Sequence, residues 1–131
     1  MIETSSAPWK PTRLAGVDYL PLHTDRSERA GTFLYRMGPG TSYIRHRHPE
    51  GEEIFLLEGE MKVGERILKR GDFLNSPPGT IHEIFSEKGC LFLAVLPKAI
   101  EIVPLGTQEN EFEEPPTDLL PDETPPAPER K

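Results

Sequence analysis

Histidine is scarce in this 131-residue chain, and three of its four histidines fall in two segments punctuated by glycine and proline. The first runs Gly40-Thr-Ser-Tyr-Ile-Arg-His46-Arg-His48-Pro-Glu-Gly-Glu52-Glu-Ile-Phe-Leu-Leu-Glu-Gly59. The second runs Gly71-Asp-Phe-Leu-Asn-Ser-Pro77-Pro-Gly79-Thr-Ile-His82-Glu-Ile-Phe-Ser86. Side chains alternate faces along a strand, so His46 and His48 share one face, about 6.6 Å apart at 3.3 Å per residue. Arg45 and Arg47 take the opposite face, where a guanidinium can reach water. Pro49-Glu50-Gly51 is turn chemistry, and it re-aims the chain so that Glu52 can close on the same centre. After a second turn, Pro77-Pro78-Gly79-Thr80, a strand presents His82, Ile84 and Ser86 on one face and Ile81, Glu83 and Phe85 on the other. Imidazoles from two strands with a nearby carboxylate suit a divalent transition metal that keeps open positions for water or substrate. Iron, manganese, nickel, cobalt, copper and zinc all accept such donors. A lone His-x-His is an ordinary strand pattern, so the metal reading rests on the joint pattern of histidines, acid and turns.

Those residues need a β scaffold, and the sequence supplies one. Apolar and β-branched runs of four to eight residues alternate with glycine and proline from Arg13 to Val103. Strands are expected near Val17–Leu22, Thr32–Met37, Ser42–His48, Glu53–Leu57, Glu60–Val63, Arg66–Lys69, Phe73–Ser76, Ile81–Ser86 and Leu91–Leu96. Val63-Gly64-Glu65-Arg66 puts glycine where a two-residue type II′ hairpin loop needs it. No sustained 3.6-residue period competes, so the expectation is a single all-β domain, a sandwich or small barrel. Ile54 and Leu56 share the parity of Glu52 and should line the interior; Ile44 and Ile84 are assigned there too. Two runs, Ile54–Leu57 and Leu91–Leu96, are apolar on both faces, which calls for a cover, a second subunit or the N-terminal arm, and a homodimer is expected. His23 sits in a polar stretch and reads as a surface residue, Cys90 as a small packed thiol, and Trp9 as an anchor for the N-terminal arm. The parities of Tyr35, Arg36 and Tyr43 are left open.

Composition divides the chain into an extended arm (1–12), a barrel (13–103) and a tail (104–131). Fifteen prolines and eleven glycines accompany a hydrophobic share of only 35%. Seven prolines and eight acids against two bases fall in the tail, which carries −6 of the net −7. The tail, Glu113-Glu114 included, therefore reads as solvated. The folding unit is close to neutral, which argues against phosphate neutralisation and hence against nucleic-acid binding. The longest apolar run, Leu91–Leu96, is too short to span a bilayer, and Met1-Ile-Glu-Thr-Ser-Ser does not read as a signal peptide. One cysteine permits no intramolecular disulfide. A cytoplasmic protein with a small-molecule ligand and no membrane partner is expected.

The two segments resemble the motifs of the cupins. The pattern G-x5-H-x-H-x3-4-E-x6-G is met by Gly40, His46, His48, Glu52 and Gly59. The pattern G-x5-P-x-G-x2-H-x3-N is met by Gly71, Pro77, Gly79 and His82, with Ser86 in place of the asparagine. The resemblance implies a double-stranded β-helix (cupin jelly-roll barrel), commonly dimeric, with a metal (Fe, Zn, Mn or Ni) held by His46, His48, Glu52 and His82. Glu53 competes with Glu52, but its spacing to Gly59 is one residue short and its parity points outward. Arg45–Gly59, Gly89-Cys90-Leu-Phe-Leu and Leu96-Pro97 are most similar to the ChrR-like cupin group. That group implies a mononuclear Fe(II)-type small-molecule dioxygenase in which Glu52 stays bound or acts as a catalytic base. The alternative it offers is a non-catalytic zinc-binding sensory module with Cys90 as a redox reporter. Sugar isomerases and epimerases use the same barrel. The helical sigma-binding half of the group's anti-sigma factors has no counterpart here.

Overall fold

The computed structural model of the protein describes residues 1–103; the acidic segment 104–131 and its expected solvation lie outside the described residues. Ten strands form in chain order: β1 (Lys10–Pro11), β2 (Val17–Thr24), β3 (Gly31–Met37), β4 (Thr41–His48), β5 (Glu52–Val63), β6 (Arg66–Lys69), β7 (Phe73–Ser76), β8 (Thr80–Ser86), β9 (Cys90–Leu96) and β10 (Glu101–Ile102). No helix occurs among the described residues. All pairings are antiparallel, and the sheet curls in the order β1-β2-β3-β9-β5-β8-β4-β10, with β6 and β7 also on β5. This is the expected all-β jelly roll.

Strand β5 makes the curl. Glu53–Val63 reads as two strands because Gly59 looks like a break, yet the chain runs through as one twelve-residue strand. Its first half pairs with β7 and β9, its second with β6 and β8. The register shifts between Leu56 and Glu58, and Gly59 has φ of 84°. An extra residue and a left-handed backbone bend a strand enough to carry it from one sheet to the next. The hairpin after β5 is as expected: Val63 pairs Arg66, and Gly64 has φ of 59° while Glu65 is not among the positive-φ residues. Positive φ at the first central residue alone is the type II′ signature.

The core lies in the concave face, where Phe33, Ile54, Leu56 and Ala94 are fully buried and Ile84 nearly so. Ile44 is the exception to the expected parity, at 41% exposed. Between the pairs Tyr43↔Ile84 and His46↔His82, two residues of β4 (Ile44, Arg45) face one of β8 (Glu83), a β-bulge. The bulge shifts the alternation by one, so Tyr43 points inward with His46 and His48, and Ile44 turns out. The N-terminal segment is tied down by β1 on β2, by Lys10 to Glu28 at 2.6 Å, and by the Arg36 guanidinium 4.3 Å over the Trp9 ring.

Two glycines of the cupin motifs are needed for different reasons. A Cβ on Gly59 would overlap the Gly89 carbonyl oxygen and stand 2.8 Å from Cys90 Cα, both backbone atoms, whereas a Cβ on Gly79 (φ 88°) meets nothing within 4 Å. Gly79→Ala is expected to cost only the left-handed backbone strain, about 1–2 kcal/mol. Gly59→Ala adds a collision that cannot relax locally, for about 3 kcal/mol or more. Urea unfolding of the two variants at one pH checks the order; equal losses would mean the strand crossing does not depend on Gly59.

Candidate metal centre

The curl brings the two histidine segments face to face. Strands β4 and β8 are antiparallel neighbours, and their register sets His46 directly opposite His82. His48, two residues on, shares the inward face. The three rings stand edge to face in a nearly equilateral triangle, with centroid separations of 4.7 Å (His46–His48), 4.8 Å (His46–His82) and 4.8 Å (His48–His82). One nitrogen from each lies within 4.8 Å of the others, and all three residues are buried. They are placed to hold a divalent metal ion.

Glu52, the first residue of β5, joins them from the adjacent wall. It is 5% exposed, while Glu53 is exposed on the outer face. Glu52 Oε1 lies 3.0 Å from His48 Nε2 and 3.4 Å from His82 Nε2, and those two nitrogens are 3.0 Å apart. Donors sharing one ion at about 2.1 Å each stand about 3.0–3.4 Å apart when they subtend angles of about 90–110°. Three imidazoles and a carboxylate converging on one point cannot all satisfy one another there. Glu52 Oε1 and His48 Nδ1 are buried with no hydrogen-bond partner of acceptable geometry. A cation at the meeting point would use the converging lone pairs, so this donor set fits a borderline divalent metal.

The surroundings orient these donors. The bulge that turns Ile44 outward gives its carbonyl to the ring of His46, whose Nδ1 donates to it. Because a carbonyl only accepts, Nδ1 carries the proton and Nε2 presents its lone pair to the centre. Burial drives the His46 pKa well below the ordinary 6.5, with the His48 and His82 rings adding to the effect. Burial alone would raise the Glu52 carboxyl, but the neighbouring His48 and His82 imidazoles outweigh it and bring it to about 2. Glu52 is a carboxylate and His46 a neutral base at neutral pH. Ser86, at the position of the missing asparagine, is fully buried and donates to the Glu60 carbonyl at 2.6 Å, bracing β8 against β5.

Above the donors lies a cavity of about 10 Å³, room for one water. Tyr35, Tyr43, Ile84 and Phe92 form its side walls, and Leu96 and Ile100 close it. Tyr43 packs edge-on against His46 at 4.8 Å, and Tyr35 stacks on Phe92 at 5.4 Å. The open parities are thus settled: both tyrosines line the cavity, and Arg36 points out to Asp18 at 3.2 Å. Ile100 escaped sequence reasoning, because nothing in Pro97-Lys-Ala-Ile100 signals a wall residue. His23 is exposed, and the buried Cys90 thiol is pushed up by its burial.

The profile of the family described as "ChrR Cupin-like domain" matches residues 1–99. None of the curated proteins matches the chain. Among solved structures, an acetylacetone dioxygenase from Acinetobacter johnsonii superposes with a TM-score of 0.73 at 17% identity, covering 82% of this chain and 80% of that one. The polyketide cyclase RemF from Streptomyces resistomycificus gives 0.67 at 20% identity, covering 85% and 89%. An RmlC-like cupin protein from Ralstonia eutropha gives 0.72 at 14% identity, covering 82% and 74%. At these identities the likeness is one of fold.

A neutral buried His46 makes the metal-free protein acid-sensitive. In the unfolded chain that imidazole takes a proton near pH 6.5, which the folded site refuses. Its contribution is therefore intact above about pH 6.5 and lost as pH falls towards the lower folded value. Thermal unfolding of chelator-treated protein is expected to show a Tm that drops between about pH 7 and pH 5, with a shallower drop in His46→Gln. Parallel profiles would show that His46 is not held neutral.

Proposed function

The chain belongs to the ChrR cupin-like family, and from that membership we propose that it is a mononuclear metal-binding cupin acting as a dioxygenase on a small oxygen-chelating molecule. The observation that carries the metal-binding part of this reading is the triangle of buried imidazoles with Glu52 Oε1 at its edge, and the fold likeness to an acetylacetone dioxygenase is what supports the reaction. In this reading His46, His48, Glu52 and His82 hold the ion. A bound divalent ion would supply Lewis acidity and open positions for oxygen donors. The chain's own residues do the rest. Tyr43 and the Ile44 carbonyl fix the His46 ring. The apolar wall excludes water, which strengthens every electrostatic interaction inside. Glu52, ionised at neutral pH, can take a proton from an acidic C–H or O–H of a ligand if it swings away from the ion. The fold likeness to an acetylacetone dioxygenase supports a β-dicarbonyl as the first substrate to try. A cytoplasmic setting belongs to the same reading.

The cavity of about 10 Å³ favours a second reading, a zinc-holding module without turnover, because four protein donors with room for only one water beside them suit a structural ion. Elemental analysis of protein purified without chelator, followed by anaerobic Fe(II) loading and oxygen uptake with β-diketones and catechols, separates the two. The oxygenase reading expects substrate-dependent uptake that His82→Ala abolishes, together with metal affinity lower by about tenfold or more. Tight stoichiometric zinc with no uptake on any of these compounds would instead establish the second reading.

We also propose a homodimer through the outer face of the sheet. Register places Leu20, Leu34, Leu93, Phe55 and Phe73 in one row across five strands. Phe55 and Phe73, at the β5–β7 end of the row, are 39% and 59% exposed. Leu20 and Leu34 are already buried within the chain, so the exposed part of the row is its Phe55–Phe73 end, which a partner would cover; a stable interface needs about 800 Å² per partner. Light scattering is expected to give the dimer mass, and the double variant Phe55→Asp, Phe73→Asp the monomer mass with an unchanged far-UV spectrum. A wild-type monomer at high concentration would refute the dimer.

A further inference from the structure

We infer that Ile100 sets the size of ligand the centre admits, and that β10 clasps it in place; this rests on the metal-binding reading above. Every other apolar wall residue of the cavity lies on a long strand: Tyr35 on β3, Tyr43 on β4, Ile84 on β8, and Phe92 and Leu96 on β9. Those strands are held by ladders of up to seven paired residues, so their side chains have nowhere to go. Ile100 is different. It sits in the irregular run Pro97–Ile100 between β9 and β10, yet it is only 2% exposed, packed in the core cluster with its side chain lining the cavity.

Among the described residues, what keeps it there is a short strand, anchored by the buried Ile102 and Val103. Strand β10 makes two register pairs with β4, Glu101 with Arg47 and Ile102 with His46. Arg47 donates to Glu101 Oε1 at 2.8 Å, and Val103 N–H to the Arg45 carbonyl at 3.2 Å. Both side chains of the Arg47–Glu101 pair are partly exposed, so the pair is a weak clasp. Elements held by few, partly solvated bonds open at much lower cost than core strands. The free space of about 10 Å³ takes one water, and a two-oxygen chelator with even a small carbon body needs the volume Ile100 occupies. Ile100 is therefore the wall that yields, and the bulk of its side chain decides how large a ligand the yielding admits. The ligand class this favours is a compact chelating oxygen pair on a small planar apolar body, matched to the aromatic walls Tyr35, Tyr43 and Phe92.

The test uses the full chain loaded with Co(II), whose visible absorption reports both ion binding and ligand arrival, with acetylacetone as the probe. Cobalt stoichiometry and acetylacetone Kd are measured for wild type, Ile100→Ala, Ile100→Val, Ile100→Phe and Glu101→Gln. Expected is unchanged cobalt stoichiometry, with Kd tightened about tenfold or more in Ile100→Ala, the equivalent of ~1.4 kcal/mol. Ile100→Val should tighten it less, and Ile100→Phe should weaken it. Glu101→Gln, which removes no buried carbon, is expected to raise the rate of acetylacetone binding. Ile100→Val and Glu101→Gln decide the matter if Ile100→Ala does not fold. Cobalt bound normally with one Kd and one rate across the series overturns the role of Ile100 alone. Failure of wild type to bind cobalt overturns the metal reading, and the size filter with it.

Discussion

Three imidazoles and a carboxylate buried at one point are a cost unless something gathers their lone pairs, and much of this fold is explicable as the means of bringing them there. Isolated burial of a carboxylate raises its pKa and neutralises it. Glu52 escapes that outcome only because the rings of His48 and His82 face it at 3.0 and 3.4 Å. His46 escapes its own burial by staying neutral and spending its one ring proton on the Ile44 carbonyl. His48 Nδ1 is still left without a hydrogen-bond partner, and Glu52 Oε1 has only the two rings at its side. A protein stable by a few kcal/mol does not keep such a cluster for packing, since apolar residues of the same volume would pack better. In the proposed reading a cation is what makes the arrangement tolerable.

The β4 bulge is the feature on which that geometry turns. A strand of strict alternation through Tyr43–His48 would put Ile44, His46 and His48 inward. Two residues set against one shift the pattern, so the neighbour of the His46 ring is Tyr43, with a phenol edge in place of an aliphatic wall. The same irregularity lets the Ile44 carbonyl serve His46. Orientation of the ligand and polarity of its neighbour thus come from one extra residue in one strand.

Period-two alternation made the ligand strands legible before any coordinates. His46 with His48, His82 with Ile84 and Ser86, and Glu52 with Ile54 and Leu56 all fall on the inward faces that parity assigns, while Glu53 faces out. Glycine at Gly64 likewise announced its turn. Parity fails where the chain adds a residue, and Ile44 was misplaced because nothing in Ser42-Tyr43-Ile44-Arg45 marks a bulge. Gly59 misled in the opposite sense: a glycine that looks like a strand end is the point where a continuous strand crosses between sheets. Strands β1 and β10 span two residues each, too few for any period to show. Ile100 acts through tertiary placement alone, which local pattern cannot encode.

An enzyme and a silent metal site need the same four side chains, so the donors do not distinguish the two functions; the wall does. A thiol reporter would need thiolate within reach of an oxidant, and Cys90 is buried with its pKa raised, facing Ser86 and the Met37 backbone. Both features fit the reading of Cys90 as a small packed thiol better than that of a reporter. What remains adjustable beside the centre is the closure by Ile100. A site built only to hold an ion gains most from closing the cavity with a residue anchored in a long ladder, as Leu96 is. In the proposed reading, a wall residue on an irregular run, clasped by two pairs and a largely buried ion pair, gives the chain a way to open. Ligand exchange requires a wall that can move beside converging donors, and in the proposed reading Ile100 is that wall.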